Sequence, residues 1–209
     1  MGVIFLNIFN SVIKSVLTAL YQYFWVSLLF AFAGMTCYMF IYENNKSGQG
    51  LKKTIRLWFS SFKESFDFRL LFFLMFYIAL ILFRTLLNRE LYINPLNDIM
   101  GGWQLFVPNA AGNNIENTNG IENIILFVPF SFLLLWFLNT RKDRKSFGWS
   151  FFISIAASFA FSSVIEFSQL IFRLGTIQIA DLVYNTAGGI TGSLIYFAGR
   201  KIACKVRKH

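Results

Sequence analysis

The chain has 209 residues, of which 56% are hydrophobic, 19% aromatic and only 14% charged, with 27 phenylalanines. Soluble domains carry roughly 25% charged residues, so a water-soluble globule is excluded, and several runs reach the roughly 20 apolar residues that cross a bilayer core. The formal charge of +9 does not imply a nucleic-acid partner, because the basic residues fall at alternate ends of the apolar runs, which is the signature of membrane topology.

The fold class expected is all-α: a polytopic transmembrane bundle of about five spanning helices preceded by an N-terminal amphipathic helix. Residues 1–20 are apolar but carry Asn7, Asn10, Ser11, Lys14 and Thr18 at near-helical spacing. This polar stripe suits a helix lying in the interface, or one packed with its stripe against the bundle. A cleaved signal peptide is disfavoured, since no basic residue precedes the apolar part. The first span is expected from Tyr21 to Tyr42. Residues Leu51 to Phe66 place Leu51, Ile55, Trp58, Phe59, Phe62 and Phe66 opposite Lys52, Lys53, Arg56 and Lys63. That pattern reads as a basic amphipathic helix on anionic lipid or a solvated linker helix.

The second span is expected from Leu70 to Leu87, with Arg84 and Asn88 at its top. Residues 88–120 form the one long polar stretch, rich in Asn, Gly and Pro; its tail reads as coil, while Trp103, Leu105 and Phe106 are placed to cover the mouth of the bundle. Spans three to five are expected at Ile121 to Asn139, Gly148 to Phe172 and Leu182 to Gly199. Residues 70–199 therefore make a four-helix membrane domain, residues 21–69 the first span with its basic cytoplasmic segment, and residues 200–209 a basic cytoplasmic tail. Of the 19 basic residues, 15 fall on one side of this scheme, which the positive-inside rule makes cytoplasmic, with the N-terminus outside.

At 100° per residue, Ser162, Glu166, Gln169 and Arg173 share one face of the fourth span, and Asp181, Asn185, Gly188 and Gly192 share one face of the fifth. The connection LGTIQIA is short, so the two stripes meet in an antiparallel hairpin, with the small residues letting the helices approach. Asn123 and Arg84 complete a polar set at one depth. Charged groups in lipid cost a few kcal/mol or more, so they face the interior, pair, and mark function. The only histidine is His209, and Cys37 and Cys204 stand apart, so Ser-His hydrolysis, a zinc site and a disulfide framework are not expected, and no metal or cofactor is called for.

At these residues the sequence resembles the VanZ-like family of bacterial membrane proteins. The resemblance rests on INPL in the outer loop, NIILFVPFSFLL in the third span, SVIEFSQ in the fourth, and an arginine followed by DLVYNTAGGITG entering the fifth. It covers roughly Tyr77 to Gly199 and leaves the N-terminal third unmatched. It implies polar site positions at Asn123, Glu166, Gln169, Arg173, Asp181 and Asn185, with Arg84 or Arg89 alongside; Ser131 stands near where a glycine is usual. It also implies a bacterial cytoplasmic membrane location and a link to reduced susceptibility to teicoplanin, a lipid-bearing glycopeptide acting outside that membrane.

Three functions stay open on the residues. Arginines and amides can bind the phosphate of a membrane lipid or lipid-linked cell-wall precursor. Glu166 or Asp181 can act as a general base on such a substrate. Alternatively, the charges only lock the helices together.

Overall fold

The computed structural model describes residues 2–42, 51–87, 89, 91–104, 106–108, 114–140 and 146–206. Asn88, Leu105 and the basic residues Lys46, Arg141, Lys142, Arg144, Lys145, Arg207 and Lys208 lie outside the described residues. The elements in order are α1 (Gly2–Tyr42), α2 (Leu51–Glu64), α3 (Phe66–Leu86), the strands β1 (Phe106–Pro108) and β2 (Asn114–Glu116), α4 (Asn119–Thr140), α5 (Phe147–Phe172) and α6 (Ile179–Val206). The strands form a small antiparallel hairpin with Val107 opposite Ile115, and the rest is helical.

Local chemistry sets several boundaries. Ser65 caps α3 by accepting from the backbone N–H of Phe68 at 3.2 Å, and Asp67 sits in the first turn where the helix dipole favours an acid. At the end of α5, Arg173 turns left-handed at φ 54°, while the N–H of Leu174 reaches back to the Gln169 carbonyl at 2.8 Å. This is a Schellman stop with an arginine where glycine is usual.

Helix α5 is polar inward and apolar outward. Ser150, Ser154, Ser158, Ser162 and Glu166 recur every four residues on its buried side, while Phe152, Phe159, Phe167 and Ile171 are exposed. In water that arrangement is inverted; in lipid it is the stable one, because the surroundings are as apolar as the side chains turned toward them. By length and composition, α1, α3, α4 and α5 can each cross a membrane.

The sequence anticipated a fifth spanning helix, and α6, though 28 residues long, is not among those four. Between Ala180 and Tyr196 its buried face carries Asn185, Gly188, Gly189, Gly192 and Ser193, which lower its mean hydropathy and bring its backbone against α4. A Cβ at Gly188 would meet the carbonyl oxygen of Ile124, and one at Gly192 that of Val128. Ser131 donates to the Gly189 carbonyl at 2.8 Å, and Ser193 donates to the hydroxyl of Ser154 at 3.0 Å. Small residues thus take the place of apolar bulk along this seam.

Helix α1 is unbroken from Gly2 to Tyr42, so the N-terminal segment is continuous with the first span rather than a separate helix. Asn10, Ser11, Lys14 and Thr18 of its polar stripe are exposed, while Val12 and Ala19 are the buried positions of this part of the helix, so the stripe is not packed into the bundle. At one end of the bundle, α1 and α3 clasp α2 through Met35, Met39, Trp58, Phe68 and Phe72. The middle is filled by Ile81, Phe127, Phe130 and Ile165 from α3, α4 and α5. The opposite end, where α3 and α5 finish and α4 and α6 begin, carries the polar residues and is called the site end below.

A candidate polar site at one end of the bundle

Helices α3, α4, α5 and α6 each deliver charge to the site end. Arg84, in the last turn of α3, pairs with Glu122 in the first turn of α4 at 2.6 Å. The same guanidinium donates to the Ser15 hydroxyl at 3.1 Å and to the Ser15 carbonyl at 3.2 Å, and Ser15 in turn donates to Glu122. Thr118 donates to the other Glu122 oxygen at 2.6 Å. Arg84 and Glu122 therefore use their hydrogen-bonding capacity on one another and on α1, which fixes the register of α1, α3 and α4.

Asp181, in the first turn of α6, accepts from the Asn123 amide at 2.8 Å. Glu166 is 5% exposed and accepts from the backbone N–H of Gln178 at 3.0 Å. One turn deeper, the Asn185 amide donates to the Ser162 hydroxyl at 2.9 Å, and Asn185 Oδ1 is buried without a partner. Gln169 donates to the Thr85 carbonyl at 3.0 Å and ties α5 to α3. The positive charge of Arg89 acts on both Glu166 and Asp181, and these two carboxylates act on each other.

The segment following α3 is sewn over this arrangement. Tyr92 N–H donates to the Arg173 carbonyl at 2.8 Å, Ile177 N–H to the Pro95 carbonyl at 3.0 Å, and Ile179 N–H to the Ile99 carbonyl at 3.0 Å. Gln178 Nε2 donates to Asp98 at 3.0 Å, and Trp103 lies 5.6 Å from Tyr184, ring to ring. These bonds leave a cavity of about 280 Å³ lined by Arg84, Arg89, Glu122, Asn123, Gln178 and Asp181, among others.

Of the residues singled out in the sequence, Arg84, Asn123 and Asp181 line that cavity. Glu166, Gln169 and Asn185 are buried and tie neighbouring segments together. Arg173 is not among the lining residues: its side chain is exposed beyond the helix stop, and its backbone carbonyl holds Tyr92. Glu122 and Gln178 escaped the sequence reading. An acid in the first turn of a helix looks like ordinary dipole compensation, although Thr118 four residues earlier is a local clue. Gln178 sits in a turn, where helical periodicity says nothing. Among the described residues, no three His, Cys, Asp or Glu side chains converge as a metal site.

Polar groups inside, phenylalanines outside and helices long enough to cross a bilayer define an integral membrane protein with a polar chamber at one end. The chain belongs to the VanZ/LLP1 family, whose model matches residues 20–200. It is similar to Protein VanZ of Enterococcus faecium, with 34% identity over 92 residues, amounting to 44% of this chain and 50% of that protein. The match thus spans about half the length of that relative. No solved structure matches. The family match begins near residue 20 and so takes in the first span as well as the later helices.

Proposed function

We propose that the site end faces outward from the bacterial cytoplasmic membrane and holds the headgroup of a lipid or lipid-linked envelope component. Through this the protein lowers susceptibility to teicoplanin and related lipid-bearing glycopeptides, as kinship with the VanZ family suggests. The single observation that carries the binding reading is the chamber itself. It combines Arg89, exposed and unspent on any described ion pair, with Asn123, Gln178 and Asp181 as hydrogen-bonding partners. Guanidinium groups recognise phosphate with paired hydrogen bonds, and amides complete the shell around sugar or peptide hydroxyls.

The orientation is supported by the 15 of 19 basic residues that fall on the other side of the sequence scheme. It requires an odd number of crossings, with α6 crossing despite its polarity. The helix-locking alternative has its own part of the molecule: the Arg84–Glu122 pair, closed by Ser15 and Thr118. The lock is thus one wall of the chamber, with Arg84 and Glu122 lining it beside Arg89, Asn123, Gln178 and Asp181.

The test compares wild type with Asp181→Asn and Arg89→Gln in a susceptible host, scoring teicoplanin inhibition alongside the amount of protein in the membrane. Loss of protection at normal abundance is expected for both. Full protection from either variant at normal abundance would remove the chamber from the function.

A further inference from the structure

A second cavity lies on the α1 side of Arg84. It measures about 430 Å³ and is lined by Ser11, Lys14, Ser15, Thr18, Arg84 and Arg89, among others. These α1 residues are spaced three or four apart, so they form one face of the helix and present hydroxyls beside a lysine. Among the described residues, no Asp or Glu lines the cleft. The nearest acid in the hydrogen-bond network, Glu122, is taken by Arg84, Ser15 and Thr118. Three cations therefore face one cleft, and among the described residues only Arg84 is in an ion pair. Such a cleft attracts an anion, and its hydroxyls supply hydrogen bonds to phosphate oxygens.

The cleft does not end in water alone. A smaller cavity of about 180 Å³ shares Ala19 and Arg84 with it and runs between α1, α3 and α4 past Leu20, Tyr77 and Leu80, with Glu122, held by Arg84, as the one acid among the described residues on its wall. That cavity shares Val16 and Ile125 with a third, wholly apolar one of about 480 Å³ along α1 and α4. A cationic opening that continues into an apolar trough matches an amphiphile with a charged head and a hydrocarbon tail.

We propose that this cleft is an anionic-lipid site, with Lys14 and Arg89 on the lipid phosphate and the acyl chain along Val16, Leu20 and Ile125. Four of its polar residues, Ser11, Lys14, Ser15 and Thr18, precede the family-matched residues 20–200. The headgroup subsite thus draws on the segment ahead of the family-matched residues. The inference rests on reading the site end as a headgroup site, but it is tested by direct binding, so its failure leaves the susceptibility test standing.

The experiment is native mass spectrometry of the purified, delipidated full chain with phosphatidylglycerol, phosphatidylcholine or inorganic pyrophosphate added separately. Phosphatidylglycerol should be retained in preference to phosphatidylcholine, whose choline neutralises the phosphate. Lys14→Gln and Arg89→Gln, both at exposed positions, should each cut that retention about five-fold, the effect of one basic residue near anionic lipid. The double variant Arg200→Gln, Lys201→Gln at the opposite end serves as the control and should retain the lipid as wild type does. Equal retention of the two lipids, or undiminished retention in Lys14→Gln, the cation that this cleft does not share with the chamber, would overturn the proposal. Loss confined to the Arg200, Lys201 variant would move lipid binding to the other end and overturn it too. Binding of pyrophosphate without phosphatidylglycerol would assign the cleft to a soluble phosphate instead.

Discussion

Where α1, α2 and α3 meet far from the site, Trp58 lies among Met35, Met39, Phe68 and Phe72 and stacks on Phe62 at 5.2 Å, whereas at the site end α1, α3 and α4 meet through Ser15, Arg84 and Glu122. The first contact is dispersion and area burial, which are non-directional and tolerate repacking. The second is a directional hydrogen-bonded ion pair in which both Glu122 oxygens and both terminal Arg84 nitrogens have partners. A cavity of fixed polar shape needs the second kind, because side chains that slide past one another cannot hold donors at set positions.

Four substitutions break or sharpen this contrast, from the largest effect to the smallest. The site end depends on the α4–α6 seam, so Gly188→Leu, which drives a side chain into the Ile124 carbonyl and Phe127, should cost about 3 kcal/mol or more. The protein is expected to fail to accumulate in the membrane; wild-type abundance would mean the seam opens without penalty. Trp58→Ala should lower stability by about 3 kcal/mol through cavity formation, with Trp58→Phe recovering most of it. Thermal unfolding in detergent measures both, and equal damage from the two would show that the aromatic cluster is more directional than argued.

Arg84→Ala leaves Glu122 without its cation. Since the pair is 19% and 11% exposed, the penalty is about 2 kcal/mol, below that of a fully buried pair. Arg84→Lys should restore little, because one ammonium cannot hold Glu122 and both Ser15 atoms together. Arg84→Leu with Glu122→Leu should restore abundance while abolishing the polar chamber, and thermal melting with a membrane blot separates the two effects. The smallest change is a gain: Arg173→Gly relieves a left-handed non-glycine residue, φ 54°, and should stabilise by about 1 kcal/mol. A destabilised Arg173→Gly protein would show that the arginine side chain contributes to the loop it borders.

The helices that cross by composition were legible because bilayer thickness imposes a length of apolar sequence that no other constraint imitates. The faces of α5 and α6 were legible for a similar reason: Ser162 and Glu166, or Asp181 and Asn185, repeat at helical spacing, and polar atoms in lipid must turn inward. Arg173 shows where that reasoning stops. The same 100° arithmetic put it on the Glu166 face, but the helix ends one residue earlier, and a left-handed residue points its side chain elsewhere. Arg84 illustrates a second limit. The sequence set it in the polar group but named no partner for it, and the partner is Glu122, since pairing depends on which helices adjoin. The roles of Gln178 and Asp98 arise from turns and loops, whose geometry has no period to read.

Helix α1 has a mechanical consequence for the membrane around it. At 41 residues it is about 60 Å long, roughly twice the hydrocarbon thickness of a bilayer. The roughly 20° lean common among membrane helices shortens its reach along the normal by only about 6%. Nor can α1 slip along its axis to hide the excess, because Ser15 is fastened to Arg84 and Glu122. The mismatch must then be met by the lipid: the leaflet beside α1 thickens, or the helix carries Leu6, Phe9 and Ile13, all exposed, through the headgroup layer. On the first account the protein is seated most comfortably where the membrane is thick; on the second its N-terminal turns stand proud of the hydrocarbon layer.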